Sequence, residues 1–291
     1  MEQFEGKVAV VTGAASGIGR ALSGAFAREG MRLVLADVEA EPLQRVAEEL
    51  RGAGTEVVEV VADVSRADEV DKIGSAAMDA YGALHVACNN AGVSGGGLTW
   101  EIEPATWEWI LGVNLWGVIH GVRTFTPLIV RSGGGHIVNT ASMAGLTSPP
   151  GMGPYNVSKH AVVTLSETMY VELQMTHPEV GVSVLCPGWV RTRIHEADRN
   201  RPPGVAAFAG GVADGDDGED GAGQGLGALR TLVEKWISEG LDPDDVAALV
   251  LDAIRSGRFY VLTHPEWQSM VRDRVDRMLG GQNPHTSLPG L

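Results

Sequence analysis

Lys7-Val-Ala-Val-Val-Thr-Gly-Ala-Ala-Ser-Gly-Ile-Gly19 decides the fold. Lys7 to Thr12 is an apolar run that reads as a buried strand. The run breaks at Gly13 and passes into a helical pattern, Gly17 to Glu29, with Ile18, Leu22, Ala25 and Phe26 on one face. A glycine cluster alone says little. Between a strand and a helix, Gly13 permits a tight turn, and Gly17 and Gly19 let backbone approach a pyrophosphate and pack helix on strand. The first N–H groups of the helix lack backbone partners and attract such an anion. The stretch therefore reads as a nucleotide-binding strand–turn–helix unit.

The next strand, Arg32 to Ala36, is closed by Asp37. That is about the spacing at which an acid hydrogen-bonds an adenosine ribose. A carboxylate there repels a 2′-phosphate, and no Arg or Lys stands at Ala15, Ser16 or Val38 to attract one. The balance favours NAD over NADP; the structural alternative is that Asp37 only caps a turn. Asp63, at the end of the third strand, has two readings of equal weight, a partner for the adenine amino group or a turn cap.

The same rhythm continues. Helices are expected over Glu41–Arg51, Ala67–Tyr81, Pro104–Val130, Gly153–Met175 and Pro243–Ser256. Strands are expected over Val57–Ala62, Leu84–Asn89, His136–Ala141, Val182–Cys186 and Phe259–Leu262. Strands alternating with helices, each strand a continuous apolar run, give parallel βαβ units with both sheet faces buried. The fold class is α/β: a Rossmann-type doubly wound parallel sheet in three layers, read as one domain over residues 1–291. Pro202 to Gly227, rich in Gly, Ala and Asp, has no periodicity and is either a lid or disordered surface. Pro265 to Gly280 reads as a short amphipathic helix that packs on the body or on another subunit.

Composition narrows the function. The chain has 291 residues, 44% hydrophobic and 20% charged, with a net charge of −15. An acid excess of that size argues against binding nucleic acid or anionic membrane. Cys88 and Cys186 each lie in a strand-like run and are expected to be inert core thiols in a reducing compartment. The N-terminus lacks a signal-peptide layout and no apolar run approaches a membrane span, so a cytosolic protein is expected. The histidines show no metal-ligand spacing, which removes support for metal chemistry.

Chemistry is concentrated in Tyr155-Asn-Val-Ser-Lys159. Tyr and Lys four apart share one face of a helix, so the ammonium can lie beside the phenol. A free tyrosine, with a pKa of about 10, is a poor base near neutrality. A fixed cation favours the phenolate and lowers that pKa, giving a proton donor and acceptor poised near working pH. Taken alone, the same pair occurs on many ordinary helices. His160, one position further round, is read as structural.

Together the motifs resemble the short-chain dehydrogenase/reductase family over roughly residues 5–195. The matching pieces are Thr12 to Gly19, Asp63-Val64, Asn89-Asn-Ala-Gly92, Asn114, Ser142, Tyr155 with Lys159, and Pro187-Gly188. The resemblance implies a single Rossmann-type domain, a nicotinamide dinucleotide and a tetramer or dimer. It implies that Tyr155 is the general acid/base, that Ser142 positions the substrate oxygen, and that Lys159 binds the nicotinamide ribose and lowers the pKa of Tyr155. It implies that Asn114 holds a water linking Lys159 to solvent. The cofactor-binding set it implies begins with Gly13, Ser16, Gly17, Ile18, Gly19 and Asp37. Asp63, Val64, Asn90, Ala91 and Gly92 follow, then Tyr155 and Lys159, then Pro187, Gly188, Val190 and Thr192 at the nicotinamide end. Met143, Leu146, Pro149, Met152, Trp189 and Trp100 are candidates for a mainly apolar substrate pocket, with residues 194–238 as the variable substrate loop. The expected activity is NAD-dependent interconversion of a hydrophobic secondary alcohol and its ketone. The alternatives are an NADP-dependent carbonyl reductase and a non-catalytic dinucleotide-binding sensor or scaffold.

Overall fold

The computed structural model describes residues 1, 3–205 and 231–285. Most of the Gly- and Asp-rich stretch at 202–227 lies outside the described residues. Seven strands form one sheet: β1 (Val8–Thr12), β2 (Arg32–Asp37), β3 (Val57–Val61), β4 (Val86–Asn89), β5 (Gly135–Thr140), β6 (Val180–Cys186) and β7 (Tyr260–Leu262). Their order is β3-β2-β1-β4-β5-β6-β7, and every pairing is parallel.

Alternation within each strand explains why the strands read as unbroken apolar runs. Ala9 and Val11 of β1 and Leu33 and Leu35 of β2 point into one core. Val8, Val10, Val34 and Ala36 point into the other. Helices α1 (Gly17–Arg28) and α2 (Ala40–Gly52) close the first core, with Leu22, Phe26, Leu43 and Ala47 buried. Helix α3 (Ala67–Tyr81) helps close the second through Val70 and Ile73. No described helix is long and apolar enough to cross a membrane.

The expected helix from Pro104 to Val130 is a composite. It runs as α4 (Pro104–Leu111), a π-helical turn (Gly112–Trp116) and α5 (Gly117–Arg131). Apolar periodicity does not register one extra residue per turn, but a hydrogen-bonding side chain does. Asn114 lies in the wide turn, fully buried, and its carboxamide grips the backbone of Val93. π-turns inside helices frequently mark functional sites.

Short helix α6 (Ala144–Thr147) follows β5, and α7 (Gly153–Thr176) carries the Tyr–Lys pair. A helical stretch at 231–238 (α8) precedes α9 (Pro243–Ser256), whose Val246, Val250 and Ile254 join the first core. The tail forms a turn at Pro265–Trp267 and then α10 (Gln268–Leu279). It packs on the body of its own chain, where Trp267 and Val271 meet the cluster around Val163 and Cys186.

After β1 the chain builds β2 and β3 to one side, then crosses to β4 and works outward to the other. The loops at the carboxyl ends of β1 and β4 consequently part, and ligands of open α/β sheets bind in that crevice.

Candidate active site

A cleft of about 660 Å³ opens at this switch point. At one side is the β1–α1 turn. Gly13 has φ +68°, and a Cβ on it would lie 2.8 Å from Ala91 Cα. Gly17, with φ +51°, faces Thr192, whose Cγ2 would be 2.9 Å from an added Cβ. Both positions are therefore closed to side chains, and Ser16, Gly17 and Ile18 line the cleft directly. Gly19 does not line it. A Cβ there would fall 2.0 Å from the Gly13 carbonyl oxygen, so its part is to let helix approach turn.

Threonine and asparagine brace the floor. The Thr12 hydroxyl accepts from the N–H groups of Asn90 (2.9 Å) and Ala91 (3.1 Å). The Asn90 amide donates back to the Thr12 carbonyl at 3.0 Å, and its oxygen accepts from the Thr140 hydroxyl at 3.3 Å. The ends of β1, β4 and β5 are thus tied together beneath the cleft. Asp37 sits at the far end, where Oδ2 accepts from Ala15 N (2.9 Å) and Oδ1 from Glu39 N (3.0 Å). Burial pushes its carboxyl above the ordinary range, and those two amides pull back. Asp63 is both a turn cap and a cleft residue: Oδ1 accepts from Ser65 N at 2.9 Å, and the residue lines the cleft beside Val64.

At the other end, Ser142, Tyr155 and Lys159 converge. Lys159 Nζ donates to the Thr140 carbonyl at 2.9 Å and lies 5.6 Å from the centre of the Tyr155 ring. Burial lowers its pKa to about 8. The Tyr155 phenol departs from expectation: burial raises its pKa, and the neighbouring Ser142 hydroxyl offsets only part of that rise. Lys159 Nζ donates to the Thr140 carbonyl, and no hydrogen bond from it to the phenol offsets that burial among the described residues. The Ser142 hydroxyl is oriented by Ala144 N, which donates to it at 3.1 Å, and it reaches the Pro187 carbonyl at 3.4 Å. Pro187, Gly188, Val190 and Thr192 complete this wall.

Asn114 stands behind the cleft instead of in it. Its oxygen accepts from Val93 N (2.8 Å), and its amide donates to Val93 O (2.9 Å) and to Ser158 Oγ (3.2 Å). Gly92 separates it from the lysine: a Cβ on Gly92 would lie 3.4 Å from Asn114 Oδ1 and 3.5 Å from Lys159 Nζ. Cys186 is buried beneath, its thiol pushed up to about 12 by desolvation, and Cys88 is buried and free.

Among the substrate candidates, Met143, Pro149, Met152 and Trp189 line the cleft. Leu146 instead packs against the core around Val118 and Val162. Trp100 is 79% exposed and stands outside the cleft. Sequence reasoning missed Trp109, Ile237, Trp267 and Met270, which add apolar wall, and Glu39 and Arg199, which add charge. Trp189 stacks on Trp236 at 5.4 Å and meets Trp267 edge-on at 5.6 Å. Trp267 and Met270 fall in the tail that reads as an amphipathic helix, a pattern that does not say which side chains it would meet.

A nucleotide cradle at one end of a cleft and a Ser–Tyr–Lys group at the other define a dinucleotide-dependent oxidoreductase of the Rossmann type. The sequence profile of the short chain dehydrogenases matches residues 7–202, and the chain belongs to that family. It is 32% identical to the CLA biosynthesis dehydrogenase/reductase of Lactiplantibacillus plantarum, covering 96% of this chain and 95% of that one. It is 35% identical to the 1-deoxy-11-beta-hydroxypentalenate dehydrogenase of Streptomyces exfoliatus, over 97% of this chain and 90% of the relative. A short chain dehydrogenase/reductase from Burkholderia phymatum, crystallised with NAD, superposes with a TM-score of 0.90 at 44% identity, covering 99% of each chain.

Proposed function

We propose that the chain interconverts a bulky apolar secondary alcohol and its ketone with NAD, and that Tyr155 is the general acid/base. The observation that carries this reading is the meeting of Ser142, Tyr155 and Lys159 at one end of a cleft whose other end holds Asp37. The bare backbone at Gly13 and Gly17 suits a diphosphate, since any side chain there would fill the cradle. Asp37 suits the two ribose hydroxyls and disfavours a 2′-phosphate. The NAD found with the Burkholderia phymatum relative supports the same choice. NAD supplies the hydride acceptor; position and proton come from the chain.

The Ser142 hydroxyl donates to the substrate oxygen and fixes the carbinol beside Tyr155. Tyr155 takes the hydroxyl proton in the oxidation direction and returns it in reduction. Its burial alone works against deprotonation. Lys159 supplies a compensating positive charge, and a cationic nicotinamide ring in the same cleft adds to it. With no side chain on Gly92, Asn114 Oδ1 and Lys159 Nζ lie about one point, and in this reading Asn114 holds a water that carries the proton outward from Lys159. The pocket beyond is built from Met152, Trp109, Trp189, Trp267 and Met270. Walls of that size and apolarity favour a cyclic or aromatic substrate over a small polar one.

The test is NAD-coupled turnover on a panel of cyclic and aromatic secondary alcohols, with NADP in parallel. Turnover with NAD is expected, and Tyr155→Phe is expected to lower kcat by about 100-fold or more, the range for a lost acid/base. A Tyr155→Phe enzyme within a few-fold of wild type would remove Tyr155 from that role. Tight NADH binding without turnover on any alcohol would favour a sensor or scaffold.

A further inference from the structure

Asp37 shares its end of the cleft with a second acid. Glu39 lines the same cleft, and its N–H is the donor to Asp37 Oδ1. The Glu39 carboxylate is engaged by a guanidinium from far along the chain. Arg199 Nε lies 3.2 Å from both of its oxygens. The two side chains are only 18% and 23% exposed, so solvent screens this pair less than an open surface pair. Arg199 is fixed from behind as well, since Nη1 donates to Arg193 O at 2.8 Å and Glu196 O at 3.0 Å. Both Nη1 protons are thereby taken, and Glu39 sits on the Nε edge.

That edge is the one a phosphate would use. Guanidinium forks bind carboxylates and phosphates with the same geometry, so the two compete for one site. Asp37 and Glu39 set two carboxylates beside the Arg199 guanidinium, with Arg193 also lining the cleft. With the Glu39 charge removed, the Nε edge of Arg199 would be free for a phosphate.

We infer that Glu39 is a second cofactor-discriminating residue, which holds back the nucleotide 2′-phosphate by occupying Arg199. This rests on the NAD reading above. Asp37 refuses the phosphate by direct repulsion, and Glu39 refuses it by occupying the cation that would welcome it. The residue is invisible to a scan for basic side chains around Asp37, because Arg199 is supplied by the segment after β6.

The experiment is equilibrium fluorescence titration of NADH and NADPH against wild type, Glu39→Gln, Arg199→Ala and the double variant, at low salt. Melting curves confirm that each is folded, and Glu39→Ser serves as a second removal of the charge. The ratio of NADPH to NADH dissociation constants is expected to fall by at least about tenfold in Glu39→Gln, the scale of one charge-assisted contact. The double variant is expected to return most of the way to wild type. An unchanged ratio in both Glu39 variants overturns the inference. So does a gain that persists in the double variant, which would assign the effect to lost repulsion alone. A wild type that binds neither nucleotide would instead defeat the cofactor reading itself, an outcome read before any variant is compared.

Discussion

Lys159 holds an ammonium where water barely reaches, with 3% of the residue exposed. Burial lowers its pKa from 10.5 to about 8. The sign of the effect on stability follows. Below about pH 8 the amine is charged in the folded and the unfolded chain alike, and the folded state carries the desolvation cost. Between the folded value and 10.5 the unfolded chain binds the proton more readily, so wild-type stability rises with pH across that window. Lys159→Met removes the ionisable group while keeping a similar volume. The Thr140 carbonyl loses its donor at 2.9 Å, which offsets part of the gain. The variant is expected to be inactive yet to melt at least about 2 °C above wild type near pH 7. The gap should narrow as the pH climbs through the window. Circular-dichroism melts at a series of pH values test this, and equal melting points at neutral pH would mean that the buried charge is fully compensated. The same desolvation explains why the phenol of Tyr155 moves up where a Tyr–Lys spacing alone predicts down.

At the scale of elements, the π-turn at Gly112–Trp116 is where side-chain bonding overrides periodicity. Asn114 satisfies both backbone polar groups of Val93 in a place sealed from solvent. Asn114→Ala leaves an N–H and a C=O buried without partners, at about 1–3 kcal/mol each. The expected result is a melting point lower by about 5–10 °C, with turnover reduced because the loop after β4 loses its anchor. A melting point within a degree of wild type would mean that the loop finds other partners. Elements whose signal is an apolar run or an apolar face were legible from sequence to within a residue or two, as at α3 and α9. The π-turn was not legible, because its cause is a hydrogen bond between Asn114 and Val93, 21 residues apart.

Across the whole molecule, the two halves of the cleft were unequally legible for a physical reason. The cofactor half is built by local backbone: Gly13, Gly17 and Asp37 sit at the ends of two adjacent strands, and their spacing is written in one short stretch. The substrate half is assembled by tertiary packing of α4, α8 and the tail, so Trp109, Ile237 and Trp267 meet only in the folded chain. The same whole-chain view exposes an apolar stripe with no partner on the described chain. Val157, Val171 and Met175 on α7 are 49%, 57% and 81% exposed. At 3.6 residues per turn they fall within about 40° of one line, over about 27 Å of helix. Trp116, 52% exposed, adds a large apolar side chain from the π-turn before α5. Exposed apolar side chains along one line of a helix, here with the exposed Thr164 and Thr168 between them, suit an interaction face, and on a symmetric homo-oligomer such a face can meet its own copy. Wild type is therefore expected to sediment as a dimer or tetramer. Val171→Glu, a charge placed on the stripe one turn before Met175, is expected to shift it to a smaller species without unfolding the chain, since the side chain is more than half exposed. Analytical ultracentrifugation at several concentrations reads this directly. A monomeric wild type, or a variant of unchanged mass, would mean that the α7 stripe is not where the copies meet.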